Sequence, residues 1–264
     1  LLAEHPDTAV IVLDVVMETE NAGLEFARHV RLEARNPLVR IILRTGQPGQ
    51  APERTVITEY DINDYRNKAE LSEQRLVTSI TTAIRSYRDL LAVERGRLGL
   101  QGIVSASAEL FTLTLIPQFL DMALEALLSA GHCSGPSCCG QALVVTVHDD
   151  GYVTQARRGL VSPEGLTLDM AARLDEVVAA ARCGRGIVVT EKDFGACFRN
   201  THTGEEYVFL VIFSYPLSEL ERGLLQVLGG NIGVALSNLF LNEEIVATQR
   251  EVVLTLGEVV ETRS

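Results

Sequence analysis

Three side chains at the ends of short apolar runs frame one possible chemistry. Asp14 closes Ala9-Val10-Ile11-Val12-Leu13, Thr45 follows Val39-Arg40-Ile41-Ile42-Leu43-Arg44, and Lys68 lies three residues beyond Tyr65. In an open parallel sheet all three would converge in the crevice outside the carboxyl ends of the strands. A carboxylate there can accept a phosphoryl group and become an aspartyl phosphate. A hydroxyl and an ammonium can then read the new charge. A second concentration of reactive types is His132, Cys133, Cys138 and Cys139, with Cys183, Cys197 and His202 downstream. Thiolates with imidazole suit zinc or an iron–sulfur cluster. Their spacing is not the paired C-x-x-C of a zinc ribbon, and Ser134, Gly135, Pro136 and Ser137 mark a loop. A tolerated polar loop is the default reading, and metal binding or redox sensing the alternative.

The elements that must position these residues divide the chain in three. Residues 1–90 alternate short apolar strands (10–13, 40–43 and a short last strand at 61–65) with helical spacing at Leu24, Ala27, Val30 and Arg31, the pattern of βαβ units. The continuous apolar runs predict strands buried on both faces. From Ser72, a plausible N-cap, Leu76, Ile80, Ile84, Tyr87 and Leu91 predict a helix, and Gly96, Gly99 and Gly102 a hinge after it. Residues 91–240 read as α+β. A helix bearing Leu110, Leu113, Phe119, Leu120, Ala123, Leu124 and Leu127 leads in. Strands at 142–147 and 152–157 follow, joined by Asp149-Asp150-Gly151, then a helix near 168–181 and strands at 186–190 and 207–214. In the last segment Leu225, Ile232, Leu239, Val246, Val253 and Val260 recur every seven residues, with Leu228, Ala235, Asn242, Gln249, Leu256 and Arg263 offset by three. This a/d pattern predicts self-packing in its first heptads and a parallel two-stranded coiled coil, hence a homodimer, beyond Phe240.

Bulk properties narrow the function classes. A chain of 264 residues fits about two domains. Its formal charge of −12 argues against a broad nucleic-acid surface or an anionic-membrane docking face. No membrane-spanning helix and no signal peptide are expected. Five cysteines do not form a secreted disulfide framework, so a reduced, cytoplasmic setting is expected. Both ends read as cut from something longer.

Residues 1–90 resemble the receiver domain of response regulators, a flavodoxin-like fold. The resemblance implies that Asp14 is the phospho-acceptor, that Thr45, Tyr65 and Lys68 are the phosphate switch, and that Asp14 and the Val16 backbone carbonyl bind Mg²⁺. Gly23 matches a glycine one turn after the acceptor. Ala69 stands where the family usually has proline, and the family's acidic pair on its first strand lies outside this sequence, which implies an incomplete Mg²⁺ site. Residues 91–240 resemble a GAF-like domain in order of elements. The motifs Leu13-Asp14-Val15-Val16-Met17-Glu18-Thr19, Arg44-Thr45-Gly46-Gln47-Pro48-Gly49-Gln50-Ala51-Pro52-Glu53 and Tyr60-Asp61-Ile62-Asn63-Asp64-Tyr65 are similar to one bacterial subfamily. There a receiver and an uncharacterised domain precede an HD-GYP phosphodiesterase, and 241–264 resembles a helical linker and the opening of that domain.

The fold class expected is therefore α/β plus α+β: a partial receiver, then a GAF-like antiparallel sheet with long connecting helices. The resemblance implies a signalling protein. Its partner would be a sensor histidine kinase, and its output a cyclic di-GMP phosphodiesterase whose metal-binding residues lie beyond Ser264. The alternative is a small-ligand sensor in which the receiver only dimerises. No catalysis is expected from these residues themselves, because no spaced acid–base, nucleophile or phosphate-loop motif occurs.

Overall fold

A short parallel sheet and a longer antiparallel one, each with its own helices, fall in two compact units, Leu1–Arg97 and Leu98–Ser264. The computed structural model describes residues 2, 4–46, 57, 58, 60–69, 72–131, 140–159 and 167–261, with side chains described through Thr255.

In the first unit, β1 (Val10–Asp14), β2 (Arg40–Thr45) and β3 (Asp64–Asn67) form a parallel sheet in that order. Helix α1 (Ala22–Arg28), continued by a π-helical turn over His29–Glu33, connects β1 to β2. Ile41, Ile42 and Leu43 of the central strand are fully buried, as a strand covered on both faces requires. The same expectation fails for β1: it is an edge strand among those described, and Val12 is 38% exposed. The core joins Val15, Leu24, Ala27, Val30, Ile41 and Leu43. Arg31, in the π-helical turn after α1, is a brace rather than an apolar contact. Its guanidinium donates to the carbonyls of Asn36, Val39 and Asp61 and pairs with the Asp61 carboxylate at 3.0 Å. Asp61 itself is in the left-handed region (φ 47°), so the segment expected as a strand from 61 is a turn, and β3 starts at Asp64.

Helix α2 runs unbroken over Glu73–Leu110. Ser72 caps it as expected, its Oγ accepting from the Arg75 N–H at 3.4 Å. The hinge expected at Gly96, Gly99 and Gly102 is absent, because these glycines are helical. At Gly99 the reason is packing: a Cβ would meet the Leu224 side chain. The lead-in helix is correspondingly two helices. The chain leaves α2 at Phe111, is extended at Leu115, and restarts as α3 (Ile116–Ala130) with Pro117 in its first turn, where a missing N–H costs nothing.

In the second unit, β4 (Gln141–His148), β5 (Gly151–Gly159), β6 (Ile187–Val189), β7 (Asp193–Arg199) and β8 (Glu206–Ile212) form an antiparallel sheet in the order β5-β4-β8-β7-β6. The Asp149-Asp150-Gly151 turn joins β4 to β5 with Gly151 at φ 128°. Alternation along the central strands feeds two cores. Val144, Phe209 and Val211 pack with α3 and with Leu225, Leu228 and Ile232 of the last helix. Leu143, Val145, Val208 and Leu210 pack with Met170, Leu174 and Val177 of α4 (Leu168–Arg182).

The last helix, α5, spans Glu219–Glu261. Residues 223–242 carry no charge over 20 positions, so this helix is long and apolar enough to cross a membrane, contrary to the expectation that no segment would be. Much of its apolar surface is nonetheless core: Leu225, Leu228, Ile232, Leu236 and Leu239 are buried in the second unit. Self-packing of the first heptads thus agrees with the sequence reading, while Val246 and Val253 stand 62% and 68% exposed.

Candidate functional site

Hydrogen-bond register decides what meets at the carboxyl end of the parallel sheet. Asp14 is the last residue of β1 and lies directly beside Arg44 of β2, while Thr45 ends β2 beside Asn67 of β3. The Lys68 N–H donates to the Thr45 carbonyl at 2.7 Å, which fixes the chain immediately after β3. From there Lys68 Nζ reaches Asp14 Oδ2 at 3.0 Å. Two of the three residues singled out from spacing therefore touch, and the third is tied to them through the backbone.

Around the carboxylate the structure adds a residue that spacing did not reveal. Arg44 places both Nε and Nη2 at 2.9 Å from Asp14 Oδ1. Each oxygen of Asp14 thus faces its own cation. Partial burial pushes the carboxyl upward, but the Lys68 hydrogen bond and the charges of Arg44 and Lys68 outweigh it and hold it below the ordinary 3.8. The site is accessible, with the Asp14 side chain 27% exposed and Lys68 46%. What places Arg44 there is the strand register: residues paired in a parallel ladder share a face.

Gly23 belongs to the same device. Its N–H donates to the Val15 carbonyl at 3.0 Å, and a Cβ there would strike the Asp14 carbonyl oxygen. Only glycine lets α1 begin this close to the end of β1. Thr45 is 5% exposed, and Tyr65 is half-buried against the core beside Leu43. Val16 follows the strand end at 47% exposure. Asp14 and the Val16 carbonyl are oxygen donors of the kind Mg²⁺ prefers, and Mg²⁺ commonly takes one or two carboxylates with water and phosphate oxygens as its other ligands. The residues thus fit part of such a shell. No group of three or more His, Cys, Asp or Glu gathers among the described residues.

The second unit holds a cavity of about 540 Å³ between α2, α3 and α5, lined by Leu98, Gly102, Ile103, Met122, Ala126 and Leu228, with Glu109 and Glu125 also on its wall. Its size falls within the range of small-molecule pockets. His132, Cys133, Cys138 and Cys139 lie outside the described residues. Of the downstream cysteines, Cys183 is exposed, and burial together with Glu206 pushes the half-buried Cys197 thiol up to about 11, which makes it a poor thiolate at neutral pH. His202 is engaged with Glu244 of α5 at 2.7 Å.

Comparison with known proteins adds two findings. Residues 80–245 match a family described as Domain of unknown function (DUF3369). The whole chain aligns at 36% identity with a protein of Vibrio cholerae serotype O1 named 3'3'-cGAMP-specific phosphodiesterase 2. The chain spans about half the length of that relative, 51% of it.

Proposed function

The chain belongs to the DUF3369 family, and we propose that it is the phosphorylation-responsive part of a cyclic-dinucleotide phosphodiesterase of HD-GYP type. The first unit acts as a receiver, and the second is a GAF-like relay toward an output domain. The observation that carries this reading is the carboxylate of Asp14 at a parallel strand end with Lys68 Nζ at 3.0 Å and Thr45 at the end of the neighbouring strand. A sensor histidine kinase would supply the phosphoryl group. Asp14 and the Val16 carbonyl would hold Mg²⁺, a cation that would supply charge neutralisation for the transfer. Asp14 presents the attacking oxygen, Lys68 holds the charge that develops, and Thr45 supplies the hydroxyl that the new phosphoryl group draws in. The exposed heptads past Phe240 would pair two copies of the chain.

Incubation with a small acyl phosphate and Mg²⁺, followed by intact-mass measurement, tests the acceptor. One added phosphoryl group is expected on the native chain and none on Asp14→Asn. An unlabelled native chain, or a labelled Asp14→Asn variant, refutes the assignment.

A second reading rests on the cavity between α2, α3 and α5: the second unit as a small-ligand sensor, with the receiver only a dimerisation platform. A compound that raises the melting temperature of the native chain, but not of a cavity-filled Ala126→Leu variant, would favour it. A library screen with no such compound would count against it.

A further inference from the structure

We propose that Arg44 is a second phosphate-binding cation of this site, acting beside Lys68 on the phosphoryl group carried by Asp14. The inference rests on the acceptor role given to Asp14 above. Its own support is geometric. Arg44 presents two N–H groups, Nε and Nη2, each 2.9 Å from Oδ1, while Lys68 Nζ takes Oδ2 at 3.0 Å. The strand register fixes the pair, because Asp14 and Arg44 are partners in the β1–β2 ladder and the Val15 N–H is held by the Arg44 carbonyl at 2.8 Å. The backbone of Arg44 is therefore held beside Asp14, and its guanidinium stays within reach of whatever Asp14 carries.

The chemistry of the transfer favours the same role. Asp14 already has a guanidinium on one oxygen and an ammonium on the other. In the transfer, one Asp14 oxygen forms a bond to phosphorus, the bond from phosphorus to the donor's leaving group breaks, and that group departs with the electron pair. The acyl phosphate then carries close to two negative charges at neutral pH, and its oxygens become new acceptors for the donors around Asp14. Planar guanidinium suits this task, since its fork can move from one carboxylate oxygen to two phosphoryl oxygens while keeping both donors engaged. The ammonium of Lys68 acts as a point charge from the other side.

The refuting outcome has the opposite sign: an Arg44 that locked Oδ1 would hinder attack, and its removal would speed incorporation. The full chain, Arg44→Gln and Arg44→Lys are labelled with acetyl phosphate and Mg²⁺, and the initial rate of phosphoryl incorporation is measured by intact mass. Arg44→Gln is expected to slow incorporation by about tenfold or more, the scale of one lost charge-assisted hydrogen bond. Arg44→Lys, which keeps the charge and loses the fork, is expected between Arg44→Gln and the native chain. Hydrogen exchange of the β1 and β2 amides checks the fold. If Arg44→Gln loses that protection, Arg44→Lys alone carries the test and must be slower than native. Incorporation at the native rate or faster in the folded variant overturns the proposal while leaving Asp14 as acceptor. A native chain that takes no label at all overturns both.

Discussion

Gly23→Ala isolates the step by which the fold presents Asp14. The new Cβ would meet backbone, not a yielding side chain: the carbonyl oxygen of Asp14, with its carbonyl carbon and the Val15 Cα each 3.0 Å away. Either α1 or the end of β1 must shift. Overpacking of this kind costs about 1–3 kcal/mol. The shift also strains the Gly23 N–H to Val15 carbonyl bond, worth about 1 kcal/mol. Alanine recovers about 1 kcal/mol of helix propensity. The net expectation is a loss of about 2 kcal/mol confined to the first unit, which for a unit of this size lowers its melting temperature by roughly 10 °C. The chain has no tryptophan, so thermal circular dichroism combined with peptide-resolved hydrogen exchange is the suitable assay. Protection should fall in the peptides spanning β1 and β2 and stay unchanged in β4 and β8. Gly230→Ala is the control of opposite sign: its Cβ would enter open space in the middle of α5, so stability should rise by up to about 1 kcal/mol. If Gly23→Ala leaves β1 protection intact, the close approach of α1 is not what places Asp14.

Three further outcomes follow from the same contacts. Asp14→Asn should destabilise the first unit by up to about 1 kcal/mol at neutral pH, because Arg44 and Lys68 are left facing each other across a partly exposed site. That difference should vanish in acid: the Asp14 carboxyl is lower folded than unfolded, so its contribution is present above about 3.8 and is lost as pH falls through the lower folded value. Urea titrations at pH 7 and in strong acid read both. Gly195→Ala in β7 should cost about 1–3 kcal/mol, since the added Cβ meets the Val177 side chain of α4, and Val177→Ala should recover part of that loss in the double variant. Val253→Glu, on the exposed part of α5, should convert a dimer to monomer in sedimentation without lowering the melting temperature of the second unit; a native chain that already sediments as monomer removes the coiled-coil pairing.

What sequence reasoning could reach here depended on whether a residue's meaning was local. The starts of β1 and β2, the Ser72 cap and the Asp149-Asp150-Gly151 hairpin are local, and each appears where propensity placed it, while β1 and β2 run one and two residues further than expected. Glycine was misread where its role was tertiary. Gly99 looked like a hinge but is a notch for Leu224. Gly195, with Ala196 and Cys197, hid the strand β7 because its missing side chain makes room for Val177. Residues 223–242 make a related case, since an uncharged stretch of membrane length turns out to supply one wall of a core. The candidate site divides along the same line. The positions of Asp14 and Thr45 were legible because each closes or follows its own apolar run, and that of Lys68 because it comes just after the short strand marked by Tyr65. Arg44 was not, because its meaning depends on β1 and β2 pairing in phase, a relation between segments 30 positions apart. Once that register is fixed, a parallel ladder leaves little freedom: the neighbour of a terminal carboxylate on the next strand must share its face. An arginine in that place meets the Asp14 carboxylate, and under the proposed acceptor role the sign of the Arg44→Gln rate change tells whether it reads the phosphoryl group or guards the oxygen.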